Sequence, residues 1–410
     1  MLLLVLAGLA AAGPVAGTDG EAPRVFRLDA QTLQQTRRRV LAHDPSLEPA
    51  LARLRADARD AMAAGPFSVV TKTVVPPSGN KHDYMSQAPY FWRNPQTPSG
   101  LPYVRRDGER NPEIRKISDR DGLRGLISAT ETLALAWYFL GDEAYAGRAA
   151  LLLRTWFLDA ATRMNPHLEY GQAIPGINQG RGIGIIETSG LRQVVDAVGL
   201  LAGAKAWTPA DQQGLVAWFA DYLRWLRESG HGRAEAAARN NHGTHYDAQV
   251  ASFALFTGQP DVAAQVLGES RQKRIAVQIE PDGRQPLELA RTRAWSYSVM
   301  NLGGFLSLAA LGERCGVDLW SYETPDGRGI RRALDWLVPF ASGKPWPYEQ
   351  ITPWSPQELA PALRDAAVQY REPRYEELLA KISGGLAEDR LQLVHPARVP
   401  PSPAEKATRH

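Results

Sequence analysis

Apolar positions recur at the three-to-four-residue spacing of a helix along most of the chain. The pattern predicts helices over residues 122–140, 143–158, 187–207, 209–227, 244–257, 260–278 and 295–315. Weaker periodicity predicts others over 29–64, 328–340, 356–370 and 374–385. Alternation with a period of two is confined to "FSVVTKTVV" at 67–75, which reads as one short strand. Helix starts follow Asp, Thr-Pro or Gly-Asp, and stops fall near Gly. Thr208 is a good N-cap with Pro209 at the first helical position. Thr244 followed by Asp247 resembles a capping box, which starts that helix near Thr244 and leaves Asn241 and His242 just ahead of it.

Helices of similar length joined by short turns predict an all-α fold, an (α/α) toroid or incomplete barrel of helical hairpins. No fixed-period repeat is present and no linker divides residues 120–385, so one domain is expected over 18–392. The opening "MLLLVLAGLAAAGPVAG" is too short an apolar run to span a bilayer and reads as a secretion signal over 1–17, implying a periplasmic or secreted protein. The Pro-rich, polar segment 393–410 is expected to be disordered. Cys315 is the only cysteine, which excludes an intramolecular disulfide.

Two long stretches interrupt the helical pattern, 78–118 and 165–184. Both mix aromatics, Arg, Asn and Gly without a period, and loops of this length inside a compact domain are usually functional. The first supplies Tyr84, Tyr90, Trp92, Arg105, Arg106 and Glu109 as candidate contacts, and the second Asn178, Gln179 and Arg181. Flat aromatic faces stack on sugar rings and guanidinium groups grip carboxylates in a bidentate way, so a sugar acid would use both. A formal net charge of +3 fits an anionic partner without demanding one. No basic stripe points to nucleic acid, "GRGIG" is not a dinucleotide fingerprint, and neither a Walker A loop nor a GxSxG elbow is present.

The densest polar cluster is "ARNNHGTHYDAQV" at 238–250. A helix start carries free N–H groups and partial positive charge, so Asn241 and His242 there suit an anion. The bland alternative is a single capping Asn, which leaves the rest of Asn-Asn-His-Gly unexplained. His242 and His245 as a metal pair lack the glutamate of an HExxH motif and any nearby cysteine, so no metal is assigned. Further along, "PLELARTRAWSYSVMNLGGF" places Glu288, Arg291, Arg293 and Tyr297 on or just before a helix. Their ordinary fates would be salt bridging to Glu288 and burial of the ring.

Together, "NNHGTHYDAQV", "KHDYMSQAPYFW", "GLPYVRRDGERNPE", "GRGIGIIET" and "LELARTRAWSYSVMNL" resemble the alginate lyase superfamily of helical-toroid polysaccharide lyases, closest to polysaccharide lyase family 38. The resemblance covers roughly residues 80–340. It implies a β-eliminating lyase of polyuronates that needs no metal or organic cofactor, with Asn241, His242, Arg291 and Tyr297 as catalytic residues. Arg293 remains a rival for the arginine position, and His245 a candidate subsite contact. Cationic neighbours would lower the pKa of Tyr297 and fit it to act as a base. Two other readings stand beside it. A glycoside hydrolase would recruit two carboxylates from Asp107, Glu109, Asp119, Asp121, Glu187 and Asp247. A non-catalytic polyuronate-binding protein would need the arginines and aromatics alone.

Overall fold

The computed structural model describes residues 22–382 and 389–396. The leader expected over 1–17, the end of the helix expected over 374–385 and the tail beyond 396 lie outside them. In chain order the helices are α1 (Ala30–Leu41), α2 (Glu48–Ala63), α3 (Asp119–Leu140), α4 (Glu143–Leu153), α5 (Leu191–Leu200), α6 (Pro209–Glu228), α7 (Gly230–Ala236) and α8 (Asn241–Phe256). They continue as α9 (Pro260–Ser270), α10 (Ala276–Gln278), α11 (Pro286–Leu289), α12 (Ala294–Glu313), α13 (Ile330–Ala341), α14 (Ala360–Tyr370), α15 (Pro373–Ile382) and α16 (Leu391–Val394). None is long and apolar enough to cross a membrane.

The helices form a ring. α3 packs on α2, α4 and α5; α8 packs on α5, α6, α7, α9 and α12; α12 carries the contact on to α13 and α14. α16 lies against α1 and α2, which brings the two ends of the ring together. Leu393, within the segment expected to be a disordered tail, is fully buried in that contact. At the centre, α8 is enclosed around its whole circumference, with His242 its one residue that is not buried. A helix enclosed on all sides cannot sort its residues by solvent, and its polar side chains must find partners within the protein. Thr244 donates to Gln278, Asp247 binds Arg274, and Gln249 accepts from Thr188.

Three elements depart from the periodicity. The expected strand at 67–75 is a 3₁₀ turn, Val69–Thr71, followed by an extended Lys72 and a bend. Lys72 is buried there, 2.9 Å from Asp119 and donating to the carbonyls of Val69 and Lys81. A strand would have turned every second side chain outward, whereas this segment is held by a buried ion pair. The helix expected over 187–207 is split into a 3₁₀ segment, Gly182–Thr188, and α5, which stops at Leu200. Gly199 lies so close to the N-terminal segment that a Cβ would fall 2.0 Å from the Arg24 carbonyl. α8 begins at Asn241 rather than near Thr244.

The two long loops are knitted over one opening of the ring. β1 (Met85–Gln87) pairs in parallel with β4 (Tyr170–Ala173), and β2 (Phe91–Trp92) pairs antiparallel with β3 (Val104–Arg105).

Candidate active site

The opening leads to a cavity of about 780 Å³, in the range that takes a small oligosaccharide or drug-sized ligand. Asn241, His242, Arg291 and Tyr297 all line it, together with Tyr90, Arg105 and Arg181 from the loops. Each of the first three is backed by a carboxylate.

Asn241 is the first residue of α8 and is fully buried. No side chain of its own segment caps the helix; Glu288 does, from α11. The Glu288 carboxylate accepts from the Asn241 backbone N–H and from its Nδ2, both at 2.7 Å. This fixes the amide with its oxygen away from Glu288 and leaves the second Nδ2 hydrogen for another acceptor. The capping box expected between Thr244 and Asp247 does not form, because Thr244 is already inside the helix and Asp247 is held by Arg274. That same guanidinium donates to the carbonyls of Ala236 and Ala238 and passes against Gly243, where a Cβ would sit 2.4 Å from it. The glycine in Asn-Asn-His-Gly is therefore a packing requirement. Burial pushes the Glu288 carboxyl up, and the Asn241 hydrogen bonds oppose that. The salt bridge expected between Glu288 and the arginines is absent; Arg291 pairs with Asp107 instead.

His242 places Nδ1 2.7 Å from Oε1 of the buried Glu235 on α7. A carboxylate at that distance takes the Nδ1 proton as its donor, which leaves Nε2 as the nitrogen for the cavity. His245, three residues on, is buried among α5, α8 and α12. Its Nδ1 meets Nη2 of Arg192 at 3.3 Å and its Nε2 the Met300 carbonyl at 3.2 Å. Burial, with the charge of Arg192, pulls its pKa down to about 3. It is a neutral core residue and not a subsite contact, and the two imidazoles do not converge.

Arg291 lies across the ring of Tyr297, with Cζ 3.9 Å from the ring centroid, and its Nη2 donates to the phenol oxygen at 3.0 Å. The phenol donates to the Tyr90 hydroxyl at 2.8 Å. Its pKa is raised, contrary to expectation: burial and the neighbouring Tyr90 push it up and outweigh the pull of Arg291. Asp107, which pairs with Arg291, adds to the upward push. The resting phenol is protonated.

Arg293 is turned from the cavity, with Nε on the Thr352 hydroxyl at 3.1 Å and its backbone bridged to Gln350. Tyr84 is fully buried with its hydroxyl on Glu187 at 2.8 Å, a support beneath β1 rather than a sugar platform. Asn178 accepts from the Ile174 N–H within its own turn, and Gln179 is exposed outside the cavity lining. Trp92, Arg106 and Glu109 stand together outside the lining: the indole donates to the Glu109 carbonyl and Arg106 covers the ring.

Several lining residues carry no motif. Arg110, Arg120 and Arg124 add three guanidinium groups to the lining, and β4 adds Gln172. Gln172 holds a left-handed backbone, φ 49°, clasped by Arg181 through Nε to its carbonyl and Nη2 to its side chain. Such strain in a non-glycine residue recurs at binding sites. Arg120 and Arg124 stand one helical turn apart on α3, a spacing that would have marked one face. The cavity can thus hold a polyanion, offer hydrogen-bond donors to one carboxylate, and present a phenol and an imidazole to the same sugar.

A sequence profile of the alginate lyase family matches residues 68–346. Among solved structures, an alginate lyase from Bacteroides ovatus is 41% identical, covering 92% of this chain and 100% of that one with a TM-score of 0.88. Alginate lyase A1-III from Sphingomonas species A1 shares the fold at 14% identity, 92% and 97% coverage and a TM-score of 0.59. A variant of A1-III complexed with tetrasaccharide aligns similarly, at 14% identity, 92% and 98% coverage and a TM-score of 0.60. No curated protein sequence matches the chain. The profile match over most of the chain, with the close structural relative, establishes that this protein belongs to the alginate lyase family and is a polysaccharide lyase.

Proposed function

We propose that the protein cleaves a 4-linked polyuronate, alginate, polymannuronate or glucuronan, by β-elimination and leaves a 4,5-unsaturated uronate at the new non-reducing end. The observation that carries this reading is the convergence of Asn241, His242, Arg291 and Tyr297 on one cavity that also displays Arg105, Arg110, Arg120, Arg124 and Arg181. A uronate's C5 proton is too weakly acidic while its carboxylate keeps full charge. The Asn241 amide, joined by His242 when its ring carries both protons, donates to that carboxylate, and with the field of the arginines this offsets the charge and stabilises the enolate that follows. Tyr297 stands ready to protonate the departing O4. As a base it would enter the reaction as a phenolate, its proton released to solvent at the open cavity and the charge held by Arg291. For a sugar whose C5 proton lies on the opposite face, the free Nε2 of His242 is the base and Tyr297 the acid.

Hydrolysis is less well supported. The carboxylates lining the cavity are Glu131 and Glu187. Glu187 accepts from Tyr84 and Ser86, while Glu131 is engaged by Arg27 and Gln193. The apolar opening of the sequence and the anionic substrate fit a periplasmic or secreted enzyme. The test is incubation with alginate, polymannuronate, polyguluronate and glucuronan under ultraviolet detection. Elimination creates a conjugated double bond and a rising absorbance. New reducing ends without that rise would assign a hydrolase, and neither signal would leave only binding.

A further inference from the structure

We propose that Asp107 is a positioning residue, a clasp that docks the 88–111 loop on the segment carrying Arg291 and Tyr297 and holds Arg291 against the phenol. The inference rests on the lyase reading above and adds a residue that reading does not use.

Asp107 is 184 residues from Arg291 in sequence, yet its carboxylate takes the guanidinium in a two-point grip, Nη2 to Oδ1 at 2.7 Å and Nε to Oδ2 at 3.0 Å. Arg105 donates to the same Oδ1 at 2.7 Å. Thr292 adds its backbone N–H at 3.3 Å and its hydroxyl at 3.2 Å to Oδ2, and the hydroxyl also reaches the Asp107 carbonyl at 2.9 Å. One side chain thus receives five donors, four of them from the segment that leads into α12. Burial pushes the Asp107 carboxyl up, but the bonds from Arg291 and Arg105 outweigh it and hold the group well below the usual carboxylate range. It stays ionised.

The next residue shows independently that the contact is built. Gly108 has φ +75°, and a Cβ there would meet the Thr292 hydroxyl at 2.4 Å and Cδ1 of Ile351 at 2.8 Å. Only glycine lets the loop backbone come this close. Behind Thr292, the 349–352 strap holds the same segment from the other side. Ile351 donates to the Thr292 carbonyl, Ala294 to that of Glu349, and Trp295 to the Gln350 side chain.

The consequence for Arg291 is specific. Its Nε–Nη2 edge, the edge that would grip a substrate carboxylate at two points, is occupied by Asp107, and Nη2 also holds the Tyr297 oxygen. Nη1 has no hydrogen-bond partner among the described residues. The pair therefore serves the phenol first, and substrate charge falls mainly to Asn241 and to Arg110, Arg120 and Arg124 of the cavity lining. Removing the clasp should lower turnover more than binding.

Asp107→Asn keeps the shape and removes the charge. The expected result is a fall in kcat of about 10- to 100-fold, as for other supporting partners of reactive groups, with KM nearly unchanged. In the resting protein, hydrogen exchange of segments 88–111 and 288–297 should rise together. Gly108→Ala leaves every ionisable group in place and should raise exchange in the same two segments, with a fall in kcat. An Asp107→Asn chain with wild-type kcat overturns the proposal. So does a fall in KM with kcat intact, which would make Asp107 a competitor of the substrate for Arg291. A rise in KM alone would reduce it to a loop anchor. If the wild-type chain forms no unsaturated product on any polyuronate, the lyase reading fails; exchange in the two variants then judges the clasp by itself, and unchanged exchange sinks it.

Discussion

Replacing Glu288 by Gln should separate catalysis from stability. Glu288 is 1% exposed and spends both oxygens on Asn241. Gln keeps one acceptor for the backbone N–H but turns an NH₂ toward the Asn241 amide. Either that amide turns over, presenting oxygen where it had presented N–H, or the bond is lost. A hydrogen bond to a charged group contributes about 1.5–3 kcal/mol. Against this loss stands relief from burying a charge. Because burial raises the folded-state pKa of Glu288 above its unfolded value, the folded chain binds a proton more tightly than the unfolded chain. Its stability contribution is therefore present below the unfolded pKa and lost as pH rises through the folded one; Gln suffers no such loss. The two effects oppose near neutral pH, so the net change should lie within about 1 kcal/mol, a few degrees in Tm. Turnover depends on amide orientation alone and should fall about 10- to 100-fold. Initial rates by ultraviolet absorbance, with melting curves from acid to neutral pH, read both. Wild-type kcat in Glu288→Gln, or a pH dependence of Tm identical to the wild type, would refute the reasoning.

Glu235→Gln removes the carboxylate that sets the His242 tautomer, and kcat should fall about 10- to 100-fold with Tm nearly kept; unchanged rates would remove Glu235 from the site's support. His245→Ala leaves Arg192 short of a partner and opens a core void, so chemical denaturation should show a loss of about 2–3 kcal/mol, while the folded protein keeps the wild-type pH–rate profile. A changed profile would return His245 to the chemistry. Lys72→Met strands Asp119, fully buried with no other cation in ion-pair contact among the described residues, and should cost about 3–5 kcal/mol. Lys72→Met with Asp119→Asn should recover part of that loss, and no recovery would argue against the pair.

How much of this was readable beforehand varied with the range of the force involved. Helix positions were legible because burial of one face imposes a local period. The Thr208 cap with Pro209 behind it formed as expected, and Asp211 completes a capping box, since all three lie in one turn. The start of α8 was not legible, because its cap is Glu288, 47 residues away. The same is true of Arg291, whose partner Asp107 lies on a distant loop rather than at Glu288. Tyr84 and His245 looked like ligand contacts because polar and aromatic side chains in a dense motif look alike whether they face a cavity or a core. The raised pKa of Tyr297 turns on burial, a three-dimensional quantity that a count of nearby arginines omits. Arg120 and Arg124 did leave a local trace, four apart on one helix, without a motif to single them out.

The central claim is that Tyr297 carries the proton transfers of an elimination. Tyr297→Phe keeps the ring under Arg291 and removes only the hydroxyl, so binding of a polyuronate oligosaccharide by calorimetry should persist while the rise in absorbance is abolished. Substantial formation of unsaturated product by Tyr297→Phe would contradict the account.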